Sequence, residues 1–268
     1  GRVAVTIEER RIDLRVTTLP TQRGEGASIR ILDEAAALRS LDELGMDGEE
    51  RQRFQRSYTQ PYGAVLVTGP TGSGKSTTLY AALQELNGVN KNVITIEDPV
   101  EYQLEGVNQI GVNRKAGLTF AIAMRAFLRA DPDVIMVGEM RDKETVSTGI
   151  EASLTGHLVF ATLHTNSAPE SIVRLLDMGM DPFNFADALL GVLAQRLARR
   201  LCKCKEAHKA TAEEIHALMQ EYSLELQSTA TWKKDPKAAR EKLYEEWVKE
   251  FGNDRGELIL HTAKGCDV

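Results

Sequence analysis

The feature that most constrains this chain is an eight-residue turn with a strand pattern in front of it and a helix pattern behind. Residues 69–76 read Gly-Pro-Thr-Gly-Ser-Gly-Lys-Ser, follow the apolar run 64–68 and lead into a helical stretch over Thr77–Leu86. The spacing fits G-x-x-x-x-G-K-[ST] without a mismatch. Gly69, Gly72 and Gly74 let successive backbone N–H groups converge on phosphate oxygens, where a side chain would block approach. Pro70, Thr71, Ser73 and Thr77 complete the cradle, and the helix N-terminus adds partial positive charge. Lys75 is placed to bridge the β- and γ-phosphates of ATP, and the Ser76 hydroxyl to ligate Mg²⁺. Alone, the loop is silent on what nucleotide binding drives.

The surrounding pattern supplies a fold. Apolar runs at 64–68, 93–97, 134–138 and 157–163 alternate with helical stretches, as in an α/β domain whose parallel sheet is covered on both faces. The expected helices are Leu118–Arg129, Lys143–Thr155, Pro169–Met178 and Asn184–Leu201. Before this block, residues 1–32 alternate apolar and polar (Val3, Val5, Ile7; Ile12, Leu14, Val16; Ile29, Ile31), giving short strands with turns at Glu8–Arg10 and Pro20–Gly26. Residues 33–60 are charged with helical spacing (Leu38, Leu41, Leu44, Phe54) and read as a linker and lead-in helix. Residues 61–201 form the α/β domain. Residues 202–268 are a small helical appendage, in which Lys233–Lys249 is a solvated helix with Leu243, Trp247 and Val248 facing inward.

Strand ends in such a sheet gather ligands. Two carboxylates end apolar strands there: Glu97 after Val93–Ile96 and Glu139 after Val134–Val137, each able to act on Mg²⁺ or the attacking water. Glu101, past Pro99, is a further candidate. His164 ends the run that His157 begins, so His164 lies near the phosphates and His157 a strand length away.

Composition narrows the class. A net charge of −6 provides no global basic field for nucleic acid or anionic membrane, and no apolar run approaches the length of a membrane span. Three cysteines and the lack of a signal-like start are expected of a cytoplasmic protein, and the opening at Gly1 of a fragment.

Four motifs in one order (GPTGSGKST at 69–77, ITIEDPVEY at 94–102, LRADPDVIMVGEMRD at 128–142, TGHLVFATLHTNSA at 155–168), with GVLAQRLARRLC at 191–202, resemble the secretion ATPases of type II secretion and type IV pilus assembly systems. The resemblance covers about residues 10–205. It implies a RecA-like ATPase core in a homo-hexamer that turns ATP hydrolysis into movement between subunits, held at the inner membrane by a platform protein. Glu139 would then act on Mg²⁺ and water, Glu97 would position or deprotonate the water, and His164 would couple nucleotide state to its neighbours. Residues 1–32 would be the end of a preceding α+β (PAS-like) domain. Arg15 and Arg30, which pattern alone reads as solvated strand residues, would reach the phosphates as arginine fingers. A DNA-uptake or nucleic-acid translocation motor on a similar core is the alternative.

The same resemblance raises zinc, because assembly motors of this family often carry two C-x-x-C pairs. Here the cysteines are Cys202, Cys204 and Cys266, one short of a closed site and spaced Cys-Lys-Cys. A bound Zn²⁺, with His208 or His261 as fourth ligand, and a lost site both remain open. The long spacer favours assembly or secretion over retraction.

Overall fold

The computed structural model describes residues 1–7, 10–33, 39–46 and 48–265, with the side chains of residues 2, 10, 11, 32, 33 and 225 left out. Glu8 and Glu9 of the first expected turn, Leu38 of the lead-in pattern and Cys266 lie outside it. The chain divides into two compact units, Gly1–Leu197 and Ala198–Val268.

The first unit opens on a three-stranded antiparallel sheet, β1 (Arg2–Ile7), β2 (Arg10–Thr21) and β3 (Gly24–Asp33). Its register pairs Arg15 directly with Arg30 across β2 and β3. Opposed residues share a face, so the two guanidinium groups start from neighbouring Cβ atoms. β2 and β3 run further than the sequence pattern suggests, with the chain reversing at Gln22 and Arg23. A short 3₁₀ turn (Leu41–Leu44) and helix α1 (Gly48–Tyr58) follow.

The main body is a six-stranded parallel sheet. Its strands are β4 (Gly63–Thr68), β5 (Val93–Glu97), β6 (Asn108–Gly111), β7 (Val134–Val137), β8 (Leu158–Leu163) and β9 (Leu189–Ala194), in the order β6-β5-β7-β8-β4-β9. The helices between are α2 (Lys75–Leu86), α3 (Phe120–Phe127), α4 (Lys143–Leu154), α5 (Ala168–Asp177) and α6 (Pro182–Ala188). Alternation along each strand feeds two cores. Leu66, Ile94, Ile96, Ile135, Val137 and Val159 pack under α3 to α6, whereas Val65, Val67, Val93, Met136 and Phe160 pack under α1 and α2. Asp142 and Asp181 cap α4 and α6 through their carboxylates, which accept from backbone N–H groups.

The expected helix Asn184–Leu201 is corrected. Its first residues belong to α6, but Leu189–Ala194 leaves the helix and pairs in parallel with β4. Leu and Ala favour helix, yet the open edge of β4 presents backbone groups that β9 satisfies, and tertiary pairing overrides local preference. Gly191 fits because a Cβ there would lie 2.8 Å from Ser57 Oγ.

The second unit holds a two-stranded antiparallel sheet, β10 (Glu206–Lys209) and β11 (Ile259–Thr262), and between these strands in the chain the helices α7 (Ala212–Leu226), α8 (Ala230–Lys234) and α9 (Pro236–Phe251). The single helix expected over Lys233–Lys249 is two, because Asp235 caps α9 at Pro236 and Pro cannot continue α8. Trp232 and Leu243 are buried, and Tyr222 meets Trp247 edge to face. Among the described residues, no helix is long and apolar enough to cross a membrane.

Candidate functional site: a phosphate cradle at the strand ends

Every strand of the parallel sheet except β6 delivers a residue to one end of the sheet. β4 ends at Thr68 and turns into the loop Gly69–Gly74, with φ of 147° at Gly69, 80° at Gly72 and 85° at Gly74. Only glycine enters that region freely, so the loop geometry accounts for all three. The loop opens on a cleft of about 530 Å³ whose lining includes Lys75, Ser76, Thr77, Glu97, Glu139, His164 and Arg30. The size suits a nucleotide-sized ligand.

Lys75 is buried, and its Nζ donates to the carbonyls of Gly69 (2.8 Å) and Pro70 (3.0 Å). Burial lowers the pKa of its ammonium, and the nearby Glu139 carboxylate opposes that shift. Ser73 Oγ is buried with no hydrogen-bond partner among the described residues. An orphaned hydroxyl inside a glycine cradle is an observation that a phosphate oxygen would explain.

Glu97, the last residue of β5, is 4% exposed. Its carboxylate accepts from three uncharged donors on three elements: the Tyr80 hydroxyl on α2, Thr95 Oγ1 on β5 (2.6 Å) and Gln109 Nε2 on β6 (3.2 Å). Burial raises its pKa, while those hydrogen bonds pull it back down. The Tyr80 oxygen in turn accepts from the Glu101 backbone N–H (3.3 Å). This is a carboxylate held away from bulk water by three uncharged donors.

β7 ends one residue before Gly138, where a Cβ would lie 3.2 Å from both Glu97 Cα and the Ile96 carbonyl oxygen. Glycine there lets the ends of β5 and β7 approach closely, and Glu97 and Glu139 line the same cleft. Glu139 pairs with Arg141 and with His164 Nε2 (3.1 Å), the residue just past β8. Ser76 and Glu139 offer hard oxygen donors beside the cradle, a set that fits Mg²⁺. His157, at the opposite end of β8, turns Nδ1 to the Ala152 carbonyl (3.0 Å) and takes no part.

Of the two arginines, Arg30 lines the cleft and Arg15 Nη2 meets Glu101 Oε2 at 3.3 Å. Arg15 Nε is buried and lacks a partner among the described residues.

Sequence reasoning missed Tyr80 and Gln195. Gln195 follows β9, and its side chain spans the back of the phosphate loop: Nε2 donates to Ser73 O (2.6 Å) and Oε1 accepts from Thr78 Oγ1 (2.9 Å). Tyr80 lies five residues past Lys75, off its helical face, so spacing alone does not single it out. Gln195 lies in the stretch GVLAQRLARRLC, but what its side chain reaches depends on β9 being a strand.

Among the described residues, Cys202 and Cys204 belong to no comparable site. Cys202 and Cys204 are bonded to each other, and no three His, Cys, Asp or Glu side chains converge among the described residues. His208 is engaged by Glu214 at 2.9 Å. Two sulfurs spent on each other do not fit a zinc ion.

A family model described as "Type II/IV secretion system protein" matches residues 1–262. The chain is 52% identical over 219 residues to the "Type II secretion system protein E" of Pseudomonas aeruginosa, covering 81% of this chain and 44% of that protein. It is also 52% identical over 215 residues to the "Type II secretion system ATPase E" of Vibrio cholerae, covering 80% and 43%. The chain thus spans less than half the length of these relatives. Among solved structures it resembles the pilus retraction motor PilT with bound ADP, at 31% identity and TM-score 0.59, over 85% of this chain and 69% of that one. It also resembles the Legionella pneumophila ATPase DotB, at 26% identity and TM-score 0.58, over 70% and 55%. These neighbours bear out the RecA-like α/β core, and the sequence match runs almost end to end, so the chain belongs to the type II/IV secretion system protein family.

Proposed function

We propose that the chain is the motor part of an ATPase that drives type II secretion or assembly of a related pilus. The observation that carries this reading is Glu97, a buried carboxylate held by three donors beside a phosphate cradle. A site built only to bind nucleotide has no use for such a group, since a buried carboxylate repels phosphate.

In this reading Gly69–Thr77 hold the phosphates, and Lys75 turns from the loop carbonyls to the β- and γ-oxygens. Glu97 orients the attacking water and accepts its proton. Ser76 and Glu139 hold Mg²⁺, which supplies charge neutralisation at the phosphates when bound. His164 reports on Glu139 through their shared hydrogen bond. Arg15 and Arg30 approach from the β2–β3 sheet and stabilise charge on the transferred phosphoryl group. The protein works in the cytoplasm as a homo-hexamer, docked on a platform protein of the inner membrane.

The names of the relatives and the ADP-bound neighbour support the activity. The test is phosphate release from Mg·ATP by the unchanged chain and by Lys75→Ala. Loss of turnover in the variant is expected; equal turnover in both would sink the assignment.

A further inference from the structure

Gln195 makes more contacts to the phosphate loop than a residue at the end of a strand needs. Its backbone N–H continues the β4–β9 ladder by donating to Thr68 O at 2.9 Å. Its amide nitrogen holds the Ser73 carbonyl and its amide oxygen is held by the Thr78 hydroxyl. A Cβ on Gly69 would lie 2.3 Å from the Gln195 carbonyl oxygen, and one on Gly74 would lie 3.1 Å from Gln195 Nε2. Thus Gln195 touches the loop before, within and after its turn. Thr78 is buried, which fixes one end of the amide, and the other end then has a single direction in which to donate.

We infer that Gln195 is a positioning residue for nucleotide binding: it sets the shape of the phosphate loop from behind, and so preorganises its N–H groups for a polyphosphate. The inference rests on the nucleotide-binding reading above. Two of the three loop glycines acquire a second reason, since Gly69 and Gly74 leave room for Gln195 as well as for phosphate. A loop ordered before binding spends less of its contact energy on ordering. The benefit is uniform, because ADP and ATP meet the same loop, and it appears in affinity more than in turnover.

The test uses the full chain and calorimetric titration with ADP and with a non-hydrolysable ATP analogue. Gln195→Met keeps length and volume but removes both hydrogen bonds, and Gln195→Glu keeps the acceptor for Thr78 but removes the donor to Ser73. Gln195→Met is expected to weaken the two nucleotides by the same factor, about tenfold, as loss of one or two net hydrogen bonds implies; Gln195→Glu, whose carboxylate also repels phosphate, is expected to weaken both further. The kcat of Gln195→Met should fall less than about threefold, and its nucleotide-free melting temperature should stay near that of the unchanged chain. Affinities within twofold of the unchanged chain, or a fall in kcat with affinity intact, would overturn the inference. If the Gln195 variants do not fold, Thr78→Val releases the amide oxygen alone and should weaken both nucleotides by about threefold; no change overturns it. An unchanged chain that binds no ADP overturns the nucleotide reading itself, and this inference with it.

Discussion

The proposed role of Glu97 carries opposite demands, because a base must ionise and burial resists ionisation. Burial raises its carboxyl pKa above the ordinary 4.5, so the folded chain holds this proton more tightly than the unfolded chain does. That contribution to stability is complete below the unfolded value and is lost as pH rises through the higher folded value. At pH 8 the ionised group therefore costs stability, and Glu97→Gln should raise the melting temperature there. Near pH 4 the difference should vanish; thermal scans at both pH values check it. Tyr80 acts in the other sense, since its hydroxyl favours the charged form. Tyr80→Phe should move the acidic limb of the turnover profile to higher pH, and an unmoved limb would remove Tyr80 from the site. Glu97, Glu139, Lys75 and His164 were legible as residues because each ends a strand run or completes a motif. Tyr80 was not, because it resembles any aromatic on a buried helix face until its hydroxyl is seen to meet Glu97.

At the scale of elements, the site is made by strand ends drawing together. Gly138→Ala would push a methyl group to 3.2 Å from backbone atoms of Glu97 and Ile96, which cannot swing aside as a side chain does. A loss of about 1–2 kcal/mol in denaturant unfolding is expected, with turnover reduced roughly tenfold as the ends of β5 and β7 are pushed apart. The β2–β3 register offers a second test. Because Arg15 and Arg30 are direct cross-strand partners, Arg30→Ala should cut phosphate release by about a hundredfold while ADP affinity changes far less. Four of the six parallel strands were readable as apolar runs bounded by turn residues. β9 was not, since Leu-Leu-Gly-Val-Leu-Ala carries no strand period of its own and becomes a strand only because β4 has an edge to fill. The Asp235–Pro236 break, by contrast, was written in the sequence as a cap followed by proline, and helical composition hid it.

Over the whole molecule, the parallel sheet and its two cores belong to the first unit, and a segment without regular structure leads from β9 into the second. Arg196, Arg199, Arg200 and Lys203 in that segment are all exposed. Brief trypsin treatment should therefore cut first between residues 196 and 205, as mass spectrometry of the fragments would show. The fold and the phosphate loop could be read from sequence because they rest on local spacing. The way Gln195 is held could not, because its partners lie up to 122 residues away, and the donors to Glu97 come together only through the packing of α2, β5 and β6. The central claim, that the ends of β4, β5, β7 and β8 form one hydrolysing site rather than a binding site alone, separates binding from chemistry at Glu97. The direct measurement is ADP affinity and Mg·ATP phosphate release for the unchanged chain and Glu97→Gln at the same pH. The account predicts affinity within about threefold and phosphate release lowered at least about a hundredfold; equal phosphate release in the two chains would contradict it.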